Sequence, residues 1–175
     1  MKDEQAKVGI VMGSDSDWPV IKPCAETLKS FGIPFEVRVI SAHRTPDAAA
    51  AYARGALKRG LSVIIAAAGG AAHLGGVLAA HTTLPVIGIP VKGGALNGMD
   101  ALLATLQMPV GIPVATVTLG SAGPANAAIL AAQMLALRDR GLAAKLARHK
   151  RALQTKVVKG DRTIQKELKD LQAAR

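Results

Sequence analysis

The sequence predicts a doubly wound α/β fold, in which a parallel sheet carries helices on both faces. Short runs rich in β-branched residues recur along the chain, each followed by a loop of small residues and a helical pattern. This alternation is typical of parallel βαβ units. Because the runs are apolar at consecutive positions, we expect them to be buried on both faces of a three-layer αβα sandwich. The runs are Val8–Met12, Phe35–Ile40, Ser62–Ala67, Val86–Val91 and Val114–Leu119.

Proline and glycine mark the predicted helix boundaries. Pro19 and the pair Thr45-Pro46 indicate helix starts, since the fixed φ of proline suits the first turn and a nearby hydroxyl or carboxylate can cap it. Gly32 and Gly60 indicate helix ends.

The C-terminal part of the chain predicts two helices of different character. The segment Ala125–Leu137 has almost no polar face, so we expect it to be buried, between subunits of a homo-oligomer. Beyond it an apolar stripe at helical spacing predicts an arm that packs on a neighbouring chain, or alternatively closes the chain's own core. The stripe consists of Leu142, Leu146, Leu153 and Val157. We therefore divide the chain into a catalytic domain (1–140) and a basic helical arm (141–175).

Charge and composition argue against nucleic acid as a partner. The net charge is +10, but residues 138–175 alone contribute +8, which indicates a solvated basic tail and not a binding face on the domain. One Trp, one Tyr and two Phe provide few platforms for base stacking. The single cysteine, Cys24, excludes an internal disulfide and points to a reducing compartment, the cytoplasm. The N-terminal residues predict neither a signal peptide nor a membrane span, so no membrane partner is expected.

The loop after the first strand, residues 13–17, is the first candidate for ligand binding. Ligands of open parallel sheets bind beyond the carboxyl ends of the strands. This loop leads into a helix, whose N-terminal N–H groups and dipole favour a phosphate. Ser14 and Ser16 can donate hydroxyl hydrogen bonds, and Asp17 can accept one from a ribose hydroxyl or a ring amine. Capping of the helix by Ser16 and Asp17 is the alternative.

The loop after the second strand carries the more specific signal. It runs from Ser41 to Pro46 and places His43 beside Arg44. The guanidinium of Arg44 offers a fork of donors suited to phosphate. His43 is the side chain most easily poised for proton transfer near neutral pH, although many loop histidines are only structural.

The loop after the third strand, residues 66–76, consists almost entirely of small residues. Such a loop lets its backbone approach a ligand closely. His73 either touches substrate or orders the loop by hydrogen bonding. No two histidines have helical metal-ligand spacing together with a carboxylate, so we predict no metal site.

Together these loops resemble the class I form of the N5-carboxyaminoimidazole ribonucleotide mutase family, the PurE proteins. The resemblance runs from Val8 to about Leu153. Its motifs, in order, are MGSDSDW (12–18), SAHRTPD (41–47), GGAAHL (69–74), LPVIGIPV (84–91), GMDALL (98–103), QMPVGIPVAT (107–116) and NAAILAAQMLAL (126–137). It implies a flavodoxin-like, Rossmann-like fold assembled as an octamer with active sites at subunit contacts. It also implies conversion of N5-carboxyaminoimidazole ribonucleotide into 4-carboxy-5-aminoimidazole ribonucleotide in purine biosynthesis, without metal or organic cofactor.

The resemblance also implies roles for individual residues. His43 matches the catalytic histidine of the family, Ser14 and Arg44 match positions near the phosphate, and Asp17 matches one near the ribose. His73 and the glycines before it match the loop that covers the imidazole and the migrating carbon dioxide. The remaining candidate substrate-binding residues are Ser16, Ser41, Gly69, Gly70, Ala71 and Leu74.

Departures from the family pattern keep rival functions open. Gly75 replaces the proline that usually follows His-Leu, and Ala67 replaces a common glycine, while Gly93, Ala101 and Ala104 replace frequent serines. A direct carboxylase of aminoimidazole ribonucleotide uses the same scaffold. The altered third loop would also suit a carboxylase of a different heteroaromatic nucleotide. A non-catalytic nucleotide-binding module is a rival of a different class.

Overall fold

The structure is a computed structural model that describes residues 7–173. Two compact units divide between Leu135 and Ala136. The strands are β1 (Lys7–Met12), β2 (Phe35–Val39), β3 (Leu61–Ala68), β4 (Val86–Pro90) and β5 (Ala115–Thr116). The helices are α1 (Trp18–Phe31), α2 (Pro46–Gly55), α3 (Leu74–Ala80), α4 (Met99–Leu106), α5 (Gly123–Ala136) and α6 (Arg140–Ala173).

All five strands pair in parallel, in the order β2-β1-β3-β4-β5. Helices cover both faces of this sheet, so the predicted three-layer, flavodoxin-like α/β fold is confirmed. The C-terminal helix that was expected beyond it is α6. Whether the chain divides functionally at residues 140 and 141 stays a prediction.

Burial of the strands follows their place in the sheet. The central strands agree with the expectation, because β1 and β4 are buried along their lengths from Val8 and from Val86. The same expectation was wrong for β2, which ends in exposed Arg38 and Val39, and for the half-buried β5. Both lie at sheet edges, where a strand has a neighbour on one side only.

The fifth strand is also much shorter than the sequence predicted. Only Ala115 and Thr116 pair with β4, and the N–H of Val117 donates one further hydrogen bond to the carbonyl of Gly88 at 3.0 Å. The chain then leaves the sheet and turns at Gly120, whose φ of 101° suits glycine. The apolar residues up to Leu119 therefore extend beyond the paired segment.

The predicted helix boundaries hold, but not the predicted caps. Gly32 ends α1 in the left-handed conformation, and Gly60 does the same after a 3-10 turn. No side-chain hydrogen bond caps α1 or α2 at its first residue. The hydroxyl of Thr45 instead donates to the carbonyl of Ser41 and accepts from its N–H, both at 3.0 Å. Thr45 therefore closes the preceding loop on itself.

Helix α5 buries its alanine face within the chain. Ala127, Ala128, Ala131 and Ala132 are fully buried within the single chain, so this face is buried as predicted, but in the chain's own core and not between subunits. Leu137, just beyond the helix, is 86% exposed. An intersubunit location for the rest of the segment stays a prediction.

Helix α6 begins with a side-chain cap, since the carboxylate of Asp139 accepts from the N–H of Leu142 at 2.9 Å. Leu142 is the buried residue of this helix. Other members of its apolar stripe are exposed, including Leu153 and Val157. What these side chains pack against stays a prediction. Among residues 7–173, no helix combines the length and the apolar character needed to cross a bilayer.

Cys24 lies on α1 with its side chain completely buried. Burial in apolar surroundings raises the pKa of the thiol to about 12.

The packing of α2 on the sheet depends on a glycine in the middle of β1. The hydroxyl of Tyr52, from α2, lies where a side chain at Gly9 would begin. That hydroxyl is buried and has no hydrogen-bond partner among the described residues. The guanidinium of Arg59 covers the Tyr52 ring at 4.4 Å from the ring centroid. Gly9 thus leaves room for the Tyr52 hydroxyl to lie against β1.

We predict that Gly9→Ala lowers the free energy of unfolding by about 1–3 kcal/mol, because the new methyl group overpacks this contact. Tyr52→Phe should be close to neutral, since it removes a buried hydroxyl that has no partner. The double variant should recover part of the loss. Urea denaturation at one fixed protein concentration measures all three. Equal stability of Gly9→Ala and the unsubstituted protein would show that the packing of Tyr52 does not depend on a glycine at position 9.

Candidate active site

The strand order changes direction between β1 and β3, which is the topological switch point of the sheet. The loops after β1, β2 and β3 meet there, at the edge formed by the carboxyl ends of the strands. They enclose a cavity of about 560 Å³, within the range usual for small-molecule sites. The predicted residues that line it are Ser14, Asp17, Ser41, His43, Arg44, Gly69, His73 and Leu74. The structure thus brings side chains from all three loops together.

Three predicted site residues do not line the cavity. Ser16 lies behind Ser14 and donates its hydroxyl to that of Ser14 at 2.8 Å. Gly70 and Ala71 belong to the third loop, where Gly70 adopts a left-handed φ of 60° and Ala71 is exposed.

Sequence reasoning missed several small lining residues, namely Gly13, Ala42, Ala68 and Ala72. The three alanines carry no functional group that could have distinguished them from packing residues. The left-handed φ of Ala72, 50°, is unusual for alanine and has no signature in the sequence.

The first loop is ordered by its own polar groups. The N–H of Ser16 donates to the Ser14 hydroxyl at 3.3 Å and to the Asp15 carboxylate at 3.1 Å. The Ser14 hydroxyl donates in turn to the Asp15 carboxylate at 3.3 Å. These contacts leave Ser14 and Asp17 at the cavity surface.

Arg44 ties the second loop to the first. Its Nη2 donates to the carbonyl of Gly13 at 3.0 Å, and its backbone N–H donates to the Ser41 hydroxyl at 3.1 Å. One arm of the guanidinium is therefore anchored at the cavity, so the group is positioned before any anion binds. A fork of donors held in this way suits a phosphate.

The two histidines of the site contact each other. Nε2 of His43 lies 2.8 Å from Nδ1 of His73, and the rings meet edge to face at 75° with centroids 4.9 Å apart. Both residues are exposed, as is Arg44, so the cavity is open in the single chain. The loops thus bring two imidazole rings together at the cavity wall.

Asp17 supplies the negative charge of the cavity. Burial raises the pKa of its carboxyl, the neighbouring charge of Asp15 raises it further, and a hydrogen bond from the Ser14 backbone opposes the shift. Within residues 7–173 there is no group of three His, Cys, Asp or Glu side chains arranged to hold a metal.

Fold and cavity together define a flavodoxin-like α/β protein with a small-molecule site at its switch point. The family described as AIR carboxylase matches residues 7–156. The chain is 54% identical over 163 residues to N5-carboxyaminoimidazole ribonucleotide mutase of Mycobacterium tuberculosis strain CDC 1551 / Oshkosh, covering 93% of this chain and 92% of the relative. The chain belongs to the AIR carboxylase family.

Two further comparisons agree. The mutase of Bacillus subtilis strain 168 is 53% identical over 161 residues, which cover 91% of this chain and 99% of that relative. The crystal structure of PurE from Treponema denticola superimposes with a TM-score of 0.79 at 30% identity, covering 89% of this chain and 96% of the other. The resemblance inferred from the sequence motifs is thereby confirmed.

We predict that Asp17→Asn stabilises the folded protein at neutral pH. The raised pKa means that the folded state binds the Asp17 proton more tightly than the unfolded state. Ionisation therefore costs stability as pH rises through the folded pKa, and no cost exists below the unfolded value, where both states are protonated. Thermal unfolding should show the advantage of Asn at pH 7 and its disappearance near pH 3. If Asp17→Asn were equally more stable near pH 3, ionisation of Asp17 would not be the source of its stability advantage.

Proposed function

We propose that this protein converts N5-carboxyaminoimidazole ribonucleotide into 4-carboxy-5-aminoimidazole ribonucleotide, a step of IMP biosynthesis, as an isomerase that needs no metal or organic cofactor. The observation that carries the proposal is the convergence of His43, Arg44 and Asp17 on one cavity. Such a nucleotide requires a group that carries a proton, hydrogen-bond donors for its phosphate and a hydrogen-bond acceptor for a ribose hydroxyl. The mutases to which the chain is similar act, by their names, on this substrate.

Each loop has a part in binding. Ser14 and Arg44 hold the phosphate, with Ser16 supporting the Ser14 hydroxyl, and Asp17 accepts a hydrogen bond from the ribose. Ser41 holds the backbone of Arg44. The third loop, with Gly69, Gly70, Ala71, His73 and Leu74, covers the imidazole and the migrating carbon dioxide. Its small residues allow the backbone to approach the ring closely.

His43 carries the proton in both halves of the reaction. First it donates a proton to the exocyclic nitrogen while the nitrogen–carboxylate bond breaks, and the bonding electrons stay on nitrogen. Carbon dioxide is released beside the ring. Ring carbon 4 then attacks the carbon dioxide, and His43 removes the proton from that carbon. The histidine regains its starting state, and the two steps sum to an isomerisation.

The reaction requires that carbon dioxide stay beside the ring. Proximity and exclusion of water keep it there, but His43, Arg44 and His73 are exposed in the single chain. We therefore propose that neighbouring copies complete the site in a homo-oligomer, an octamer. Exposed apolar side chains on and beside α4 support such contacts, among them Leu103, Leu106 and Val110.

Light scattering should show an assembly larger than a dimer, with a single mass near eight chains. A stable monomer at micromolar concentration would contradict the shared site. The buried free thiol of Cys24 fits a reducing compartment, and the cytoplasm is the location we propose.

The experiment that tests the function supplies two substrates separately. Purified protein should convert the carbamate ribonucleotide without added bicarbonate. With aminoimidazole ribonucleotide and bicarbonate, turnover should be slower. The reverse preference would favour direct carboxylation, the activity after which the family is described. Binding of either nucleotide without turnover would favour a non-catalytic module.

We predict that His43→Asn reduces turnover by roughly 10²–10⁴-fold, because asparagine keeps some hydrogen bonding but cannot carry the proton. Assembly and nucleotide binding should persist, as measured by light scattering and calorimetry. His81→Asn is the matched control, since His81 follows α3 outside the cavity. Near-normal turnover of a pure His43→Asn preparation would leave His43 a structural residue and make His73 the leading candidate.

A further inference from the structure

The contact between His43 and His73 restricts the protons that the two rings can hold. At 2.8 Å between the nitrogens, two N–H groups would oppose each other and two lone pairs would repel. The gap therefore contains one proton. In the neutral pair, each of its two positions requires a defined tautomer of both rings, because the one remaining proton must lie on the outer nitrogen of the accepting ring.

We propose that His73 is a positioning residue for His43. Its Nδ1 holds Nε2 of His43 across one shared proton, which fixes the orientation of the His43 ring and couples its tautomer to that of His73 before substrate arrives. This inference rests on the proposed function, in which His43 gives and then recovers a proton. A pair that holds one proton beyond the neutral state can give up that proton from the outer nitrogen of His43 and recover it, while another proton stays between the two rings.

The loops do not need this contact for their own conformation. In the third loop, the N–H of Ala72 donates to the carbonyl of Gly69 at 3.2 Å, and the N–H of Val91 holds the carbonyl of Ala68 at 2.8 Å. Ala72 and Leu74, on either side of His73, are buried. The second loop is closed by Ser41 and Thr45. Removing the His73 ring should therefore leave the cavity wall in place.

No other described side chain hydrogen bonds to either ring. Asp17 and Arg44 are the charged residues that line the same cavity, and the guanidinium of Arg44 donates to the Gly13 carbonyl. The orientation of His43 in the free protein thus depends on His73.

The contact atoms supply a matched pair of variants. Nδ1 of His73 is three bonds from Cα, as are the amide oxygen and nitrogen of asparagine. His73→Asn can therefore keep a hydrogen bond to Nε2 of His43. His73→Leu has similar size and cannot form it. Any difference between the two variants reports the hydrogen bond and not the volume of the side chain.

The first test is nitrogen NMR of ¹⁵N-histidine-labelled, ligand-free protein, sedimented for magic-angle spinning because of its size. The chain contains four histidines, His43, His73, His81 and His149, so single variants assign the signals. We expect the Nε2 signal of His43 to be displaced by a hydrogen bond in the unsubstituted protein and in His73→Asn, and to lose that displacement in His73→Leu. Identical His43 signals in the unsubstituted protein and His73→Leu would overturn the proposal.

The second test separates kcat from KM. His73→Leu should lower kcat about three- to tenfold, the effect of one lost neutral hydrogen bond, with KM little changed, and His73→Asn should restore most of the rate. Equal increases of KM in both variants, with kcat unchanged, would show that His73 acts through substrate binding alone and would overturn the positioning role. If the unsubstituted protein turned over no substrate, the proposed function would fail, while the nitrogen spectra would still decide the pairing.

Discussion

The position of β1 between β2 and β3 is the constraint on which the site depends. Because all three strands are parallel, their carboxyl ends lie at one edge and the three loops emerge together. Two contacts then join these loops. Arg44 reaches from the β2 loop to Gly13 after β1, and His43 reaches past β1 to His73 after β3. The anchored guanidinium and the histidine pair thus share one geometric origin.

Most of the fold was predictable because it follows from local apolar runs. Consecutive β-branched residues such as Val63–Ile65 leave little choice but a buried strand, and Gly32 and Gly60 end their segments by backbone conformation alone. The expectations that were wrong concern the two edge strands of the sheet, β2 and β5. How far β5 pairs, and how much of β2 is exposed, depends on neighbours that the local sequence does not specify.

The candidate site was predictable as a set of loops more than as a set of contacts. Hydroxyl, carboxylate, imidazole and guanidinium groups can be recognised in the sequence by their chemistry, which is why Ser14, Asp17, His43 and Arg44 were candidates. All four line the cavity. Their relations were not predictable. His43 and His73 are 30 residues apart, and only the packing of two strands against β1 determines that their rings meet. Ala72 was missed because a backbone conformation, not a functional group, brings it to the cavity.

The burial of Cys24 makes the chain nearly inert toward thiol reagents. Burial raises the pKa of the thiol and so disfavours the reactive thiolate at neutral pH, and the sulfur is inaccessible in the folded protein. The chain contains no other cysteine. A single cysteine introduced on a surface such as the exposed side of α6 would therefore react alone, so a fluorescent label could be attached without first removing a native thiol.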